Sequence, residues 1–146
     1  MPLHIRNQRA LRLPLPADTA FQLLTPKGEE RWIAEWRPRY IRPADGETEA
    51  GMVFTTGEGE EFTIWQVVDF DAAARKARYA RTTPALRTGM VTVEATALND
   101  NETEVLVRYE MTALSPQGEA SLRQYEGEAF AAMMAQWREM ILACER

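Results

Sequence analysis

Apolar and polar positions alternate along most of this chain and change to a helical period near its end. Leu11, Leu13 and Leu15 alternate with Arg12 and Pro14, so roughly residues 3–14 read as a first strand with Leu11 and Leu13 inward. Pro16 opens a short helix through Leu24, with Asp18 in its first turn, where a carboxylate suits the helix dipole. Thr25-Pro26 repeats the signal, a hydroxyl cap followed by proline at the first helical position. This second helix is expected to end near Trp36, because Pro38 follows.

Strands separated by turn residues come next. Tyr40 and Ile41 precede Pro43 and Gly46, and Gly51 opens Met52 to Thr56. Gly57-Glu58-Gly59-Glu60 signals a hairpin before the most apolar strand, Phe62 to Phe70. Asp71-Ala72-Ala73 turns into Arg75 to Thr83, and Pro84 starts a loop to Gly89. Met90 to Leu98, the turn Asn99-Asp100-Asn101 and Thr103 to Leu114 complete the series. From Ser115-Pro116 the period becomes helical. A single long helix to Cys144 is expected, with Leu122, Tyr125, Phe130, Met133, Met134, Trp137 and Ile141 sharing one broad face. Hairpin-length connections make the sheet antiparallel, and strands followed by one amphipathic helix give an α+β layer fold.

Alternation also assigns faces. Val105, Val107, Tyr109 and Met111 form the row that should meet the helix. Val91, Val93, Ala95 and Ala97 form the next, and Lys76 and Arg78 mark a wet row that leaves Ala77, Tyr79 and Arg81 inward. Both rows of Phe62 to Phe70 are apolar, so the side that Trp65 takes stays open.

Composition narrows the function classes. A chain of 146 residues suits one domain, here 1–146, able to bury a core without metal or disulfide. Its 17 basic and 22 acidic residues give a charge of -5, which argues against nucleic acid as partner. The lone Cys144 excludes an intramolecular disulfide and fits a reducing cytoplasm. With one histidine, His4, at the other end of the chain, no metal site and no Cys–His pair is expected, and no cofactor is implied. No basic segment with a long apolar run is visible after Met1, so no signal peptide is expected, and no stretch is long enough for a membrane span. Edge strands and the outer sheet face could support a homodimer, but no feature demands one.

Several residues together carry a resemblance: Phe21, Thr25-Pro26, Glu30, Trp32, Trp36-Arg37-Pro38, Gly51, Trp65, Asp69, Tyr79, Gly89, Val91, Val93, Tyr109, Leu114-Ser115, Gly118, Phe130 and Trp137. In element order and in these positions the chain resembles the START-like or SRPBCC superfamily, near its polyketide-cyclase and ATPase-activator branches. The resemblance implies a helix-grip fold: a curved antiparallel sheet of six or seven strands, two short helices after the first strand, and the C-terminal helix over the concave face. It also implies a cavity beneath that helix for a lipid-like or aromatic hydrophobic ligand. It does not name the task, because unrelated activities share the shape.

Large polarizable side chains suit the walls of such a cavity. Trp36, Phe54, Trp65, Tyr79, Tyr109, Phe130, Met133, Met134 and Trp137 could supply them, or could simply fill the core. Two charged residues fall on faces that should be dry, Arg81 beside Tyr79 and Glu126 within the helical stripe. A buried unpaired charge costs several kcal/mol. The two are therefore expected either to meet at the cavity mouth and orient a polar group of the ligand, or to lie at solvated ends of their elements. His4 reads as a surface residue of an edge strand, and Tyr125 as a rim aromatic. Asp69 and Asp71 lie at a strand end and make a poor metal pair, and Gly57-Glu58-Gly59 lacks the lysine of a phosphate loop. Binding of a small molecule ranks first. A protein-interaction module with exposed tryptophans ranks second, and a cyclase or dehydratase using Glu126 and Arg81 ranks third.

Overall fold

The computed structural model describes residues 3–145. Met1 and Pro2, the start of the segment read for a leader, and Arg146 lie outside the described residues. Seven strands form one antiparallel sheet: β1 (His4–Leu13), β2 (Arg39–Arg42), β3 (Val53–Thr56), β4 (Thr63–Asp71), β5 (Lys76–Thr83), β6 (Arg87–Asn99) and β7 (Glu102–Ala113). Their order is β1-β7-β6-β5-β4-β3-β2, so neighbours from β2 to β7 are joined by local turns. Only the link from β1 to β2 crosses from one edge of the sheet to the other, and it carries the two short helices α1 (Ala17–Gln22) and α2 (Pro26–Glu29).

The inward rows follow the alternation. Tyr79 and Arg81 are buried on β5, Val91, Val93 and Ala95 on β6, and Val105, Val107, Tyr109 and Met111 on β7. On β4, Thr63, Trp65 and Val67 are buried while Ile64 and Val68 are exposed, so Trp65 faces in. The expectation that Ala97 continues the β6 row fails. The register shifts between Ala97 and Asn99, and Ala97 is exposed where the β6–β7 hairpin runs on to its turn.

Both hydroxyl caps form. Thr25 Oγ1 accepts the Gly28 N–H at 3.1 Å, and Ser115 Oγ accepts the Gly118 N–H at 3.0 Å. The second helix is much shorter than its proline boundary suggests and ends at Glu29. Beyond it the chain folds back through turns, because two indoles bond upstream carbonyls: Trp32 Nε1 donates to Leu23 O at 2.7 Å and Trp36 Nε1 to Pro26 O at 2.8 Å.

The C-terminal segment corrects a second expectation. Instead of one helix it forms α3 (Pro116–Leu122), a 3₁₀ turn at Arg123–Tyr125, and α4 (Gly127–Cys144). Glu126 is extended (φ -106°, ψ 144°) and Gly127 has φ +49°, a left-handed conformation that glycine adopts without penalty. The break uncouples the faces of the two helices. Phe130, Met134 and Ile141 of α4 are buried, whereas Tyr125 reaches the interior from the turn before it. α3 is pressed onto the β5–β6 turn: a Cβ on Gly118 would lie 1.7 Å from Leu86 O, so only glycine allows this approach.

Candidate ligand cavity

The inward rows of β4, β5, β6 and β7, the α2 segment, the 3₁₀ turn before α4 and α4 itself enclose a cavity of about 230 Å³. Its aromatic walls are held in place by hydrogen bonds. Trp65 Nε1 donates to Thr56 Oγ1 at 2.9 Å, which fixes the indole plane. Phe54 stacks on it with centroids 5.5 Å apart and planes 7° apart, and Trp36 meets it edge-on at 5.7 Å. On the opposite side Tyr109 lies 5.2 Å from Tyr125 and 6.4 Å from Trp137. Val91, Val93, Leu24 and Ile33 complete the apolar lining.

The remaining lining is charged or hydroxylated. Arg87, at the start of β6, is wholly buried. Its Nη2 donates to Glu61 Oε1 at 2.6 Å and its Nη1 to Ser121 Oγ at 2.9 Å. Glu61 belongs to the 3₁₀ turn Gly59–Glu61; its side chain is 60% exposed, so the cavity reaches solvent on this side. Arg81, two residues after Tyr79 on β5, is 8% exposed. Its guanidinium lies over the Trp65 ring at 4.5 Å and near the Tyr125 ring at 5.7 Å. Among the described residues it forms no ion pair, and its Nε, like that of Arg87, has no hydrogen-bond partner. Glu29, the last residue of α2, also lines the cavity. The residue is half-buried, and desolvation of its carboxyl pushes the pKa well above the ordinary 4.5. The charge of Arg81 opposes that shift without cancelling it. Burial likewise raises the phenols of Tyr79 and Tyr109, which therefore stay neutral. Tyr79 Oη donates to Leu24 O at 3.1 Å, which ties β5 to the end of α1.

Of the residues singled out from the sequence, Trp36, Phe54, Trp65, Tyr79, Arg81, Tyr109 and Trp137 line this cavity. Phe130, Met133 and Met134 do not. Phe130 and Met134 are buried in the core, with Phe130 behind Tyr109 at 5.4 Å, and Met133 packs against that core. Glu126 is also outside the lining, because the extended residue before Gly127 takes it out of the helical stripe. The expected meeting of Arg81 with Glu126 does not occur: no ion pair joins them, and the acid that acts on Arg81 is Glu29. His4 lies on the outer face of edge strand β1, 2.8 Å from Thr112 Oγ1.

Three charged lining residues escape the sequence reading, Glu29, Glu61 and Arg87, whereas Tyr125, read as a rim aromatic, does line the cavity. For Arg87 a signal existed. It lies four residues before Val91, in the same inward row, but Pro84 suggested a loop as far as Gly89. Glu29 looked like an ordinary first-turn acid, and no local pattern marks Glu61, whose partner lies 26 residues away.

No family model matches the chain, and no curated protein matches it. Solved structures do. Norcoclaurine synthase from Thalictrum flavum is 13% identical, with a TM-score of 0.67 over 97% of this chain and 88% of that one. The Zhui aromatase/cyclase from Streptomyces sp. R1128 is 16% identical, with a TM-score of 0.58 over 97% of this chain and 84% of that one. Ara h 8.0201 is 13% identical, with a TM-score of 0.63 over 92% of this chain and 98% of that one. At these identities the likeness is one of architecture: the chain has a helix-grip α+β fold, an antiparallel sheet with a long C-terminal helix. Among the described residues no helix is long and apolar enough to cross a membrane.

Proposed function

We propose that this protein binds one small, flat, largely apolar molecule in the cavity beneath α4. The observation that carries the reading is an empty space walled by aromatic rings whose planes are fixed by hydrogen bonds. Rings held this way cannot rotate to fill the space, so a flat guest finds a preformed slot. Volume limits the guest. A cavity of about 150 Å³ can hold benzene, and ligand pockets of roughly 300–1,000 Å³ hold drug-sized molecules. At about 230 Å³ this one suits one substituted ring or two fused rings, which favours an aromatic guest over a lipid. Two neighbours in fold support that size class. Norcoclaurine synthase has been solved with dopamine and hydroxybenzaldehyde, and the Zhui protein is an aromatase/cyclase. The burial of Trp32 and Trp65, with Trp36 turned into the cavity, favours a pocket over a docking surface.

A second reading, acid–base chemistry on that guest, rests on Glu29, a carboxyl lining the cavity whose pKa burial raises well above the ordinary carboxyl value and the charge of Arg81 lowers.

Denaturing mass spectrometry of freshly purified protein tests the binding reading. A co-purifying aromatic molecule in near-stoichiometric amount is expected. Tryptophan fluorescence, titrated with one- and two-ring aromatics, should change saturably. The absence of both a guest and any saturable change refutes it.

A further inference from the structure

The two arginines of the cavity differ in one respect. Arg87 already has a carboxylate, Glu61, and a hydroxyl, Ser121. Arg81 has no such carboxylate. It is more than nine-tenths buried, and its guanidinium lies over the faces of two rings, Trp65 and Tyr125. A guanidinium lying over a ring commits its π surface and keeps its N–H edge for hydrogen bonds, and the Tyr109 phenol uses only part of that edge. Nε is buried without an acceptor in both arginines, so what sets Arg81 apart is that, among the described residues, no carboxylate is bonded to it.

Charge leads to the same conclusion. Four ionisable groups of opposite kinds line the cavity: Arg81, Arg87, Glu29 and Glu61. Arg87 and Glu61 cancel. While the Glu29 carboxyl stays protonated, one positive charge remains, on Arg81, in surroundings that are otherwise apolar.

We infer that the guest of this cavity is a carboxylate on a small planar apolar body, and that Arg81 receives its oxygens while Trp65 holds the guanidinium in place. This inference rests on the binding reading above and narrows it to acids. Glu29 then acts as a second donor toward the same anion. Its influence depends on pH, because loss of its proton would cancel the charge of Arg81. The groups around Glu29 are Arg81 and Tyr79 on β5, Tyr109 on β7 and Tyr40 on β2. The three phenols stay neutral, which leaves Arg81 and Glu29 to set the charge of the site.

The test compares acids with their neutral isosteres: benzoate, cinnamate and 2-naphthoate against the corresponding amides, by calorimetry on the intact chain. A charge-assisted fork should favour each acid that fits by about tenfold or more. In Arg81→Met that preference should collapse while the amides still bind. In Arg81→Lys, which keeps the charge without the fork, part of it should remain. Amide binding, with the thermal melt, reports whether each variant is folded. Affinity for the acid should fall as rising pH deprotonates Glu29, and Glu29→Gln should abolish that fall. Equal binding of acids and amides to the unaltered chain overturns the inference and leaves the cavity reading standing, as does an acid preference that survives in Arg81→Met. If neither acids nor amides bind and no guest co-purifies, the cavity reading fails and takes this one with it.

Discussion

Arg87 and Arg81 enter the same cavity from neighbouring strands, yet the protein surrounds them differently. In the Arg87 corner both terminal nitrogens of the guanidinium are hydrogen-bonded, although Nε is not. Glu61 comes from one side, Ser121 from the other, and Gly118 lets α3 approach near enough for the hydroxyl to reach. The Arg81 corner has aromatic faces where the other has acceptors. A satisfied buried ion pair fixes the relative positions of the elements that supply it. An unsatisfied one detracts from stability until something arrives to pair with it. The first corner is thus part of the frame, and the second is the part of the cavity left ready for a guest.

Four substitutions probe this contrast, in order of expected size. Trp65→Ala removes the platform under Arg81 and a wall of the cavity together. A loss of about 3–5 kcal/mol is expected in urea unfolding. Glu61→Ala leaves Arg87 buried with only Ser121 and should cost about 2–3 kcal/mol. That is below the usual cost for a buried pair, because Glu61 is partly solvated. A cost near zero would mean the Arg87 corner is not a clamp. Arg81→Met should act in the opposite direction and stabilise the empty protein by about 1 kcal/mol, since it replaces an uncompensated charge with an apolar side chain. If it destabilises instead, Arg81 belongs to the frame as well.

The smallest effect concerns Glu29. Its folded-state pKa lies above the unfolded value, so between the two the native state binds more protons than the unfolded chain. Stability should therefore decline as pH rises from about the ordinary carboxyl value through the folded one, and level off above it. Glu29→Gln should remove that decline, measured as the urea midpoint against pH. A decline retained in the variant would assign it to another group.

Much of this was legible in the chain. Rows with period two gave Tyr79, Arg81, Val91, Val93 and Tyr109 their inward faces, and Thr25-Pro26 and Ser115-Pro116 marked two helix starts that form where expected. Both sides of Phe62–Phe70 were apolar, so periodicity could not choose a face; sheet pairing chose it. The helix break at Glu126–Gly127 was hidden because the apolar positions on either side still fit one continuous period. That error put Glu126, rather than Glu29, opposite Arg81.

The sequence by itself determined the order of the elements, the antiparallel sheet and the inward direction of Arg81. These depend on hydrophobic alternation and capping, which act over a few residues. Only the tertiary structure decided which acid faces which arginine, how much space remains between sheet and helix, and which guanidinium is left without a bonded carboxylate. Those outcomes depend on groups far apart in the chain and on the packing that brings them together, and no local pattern records them.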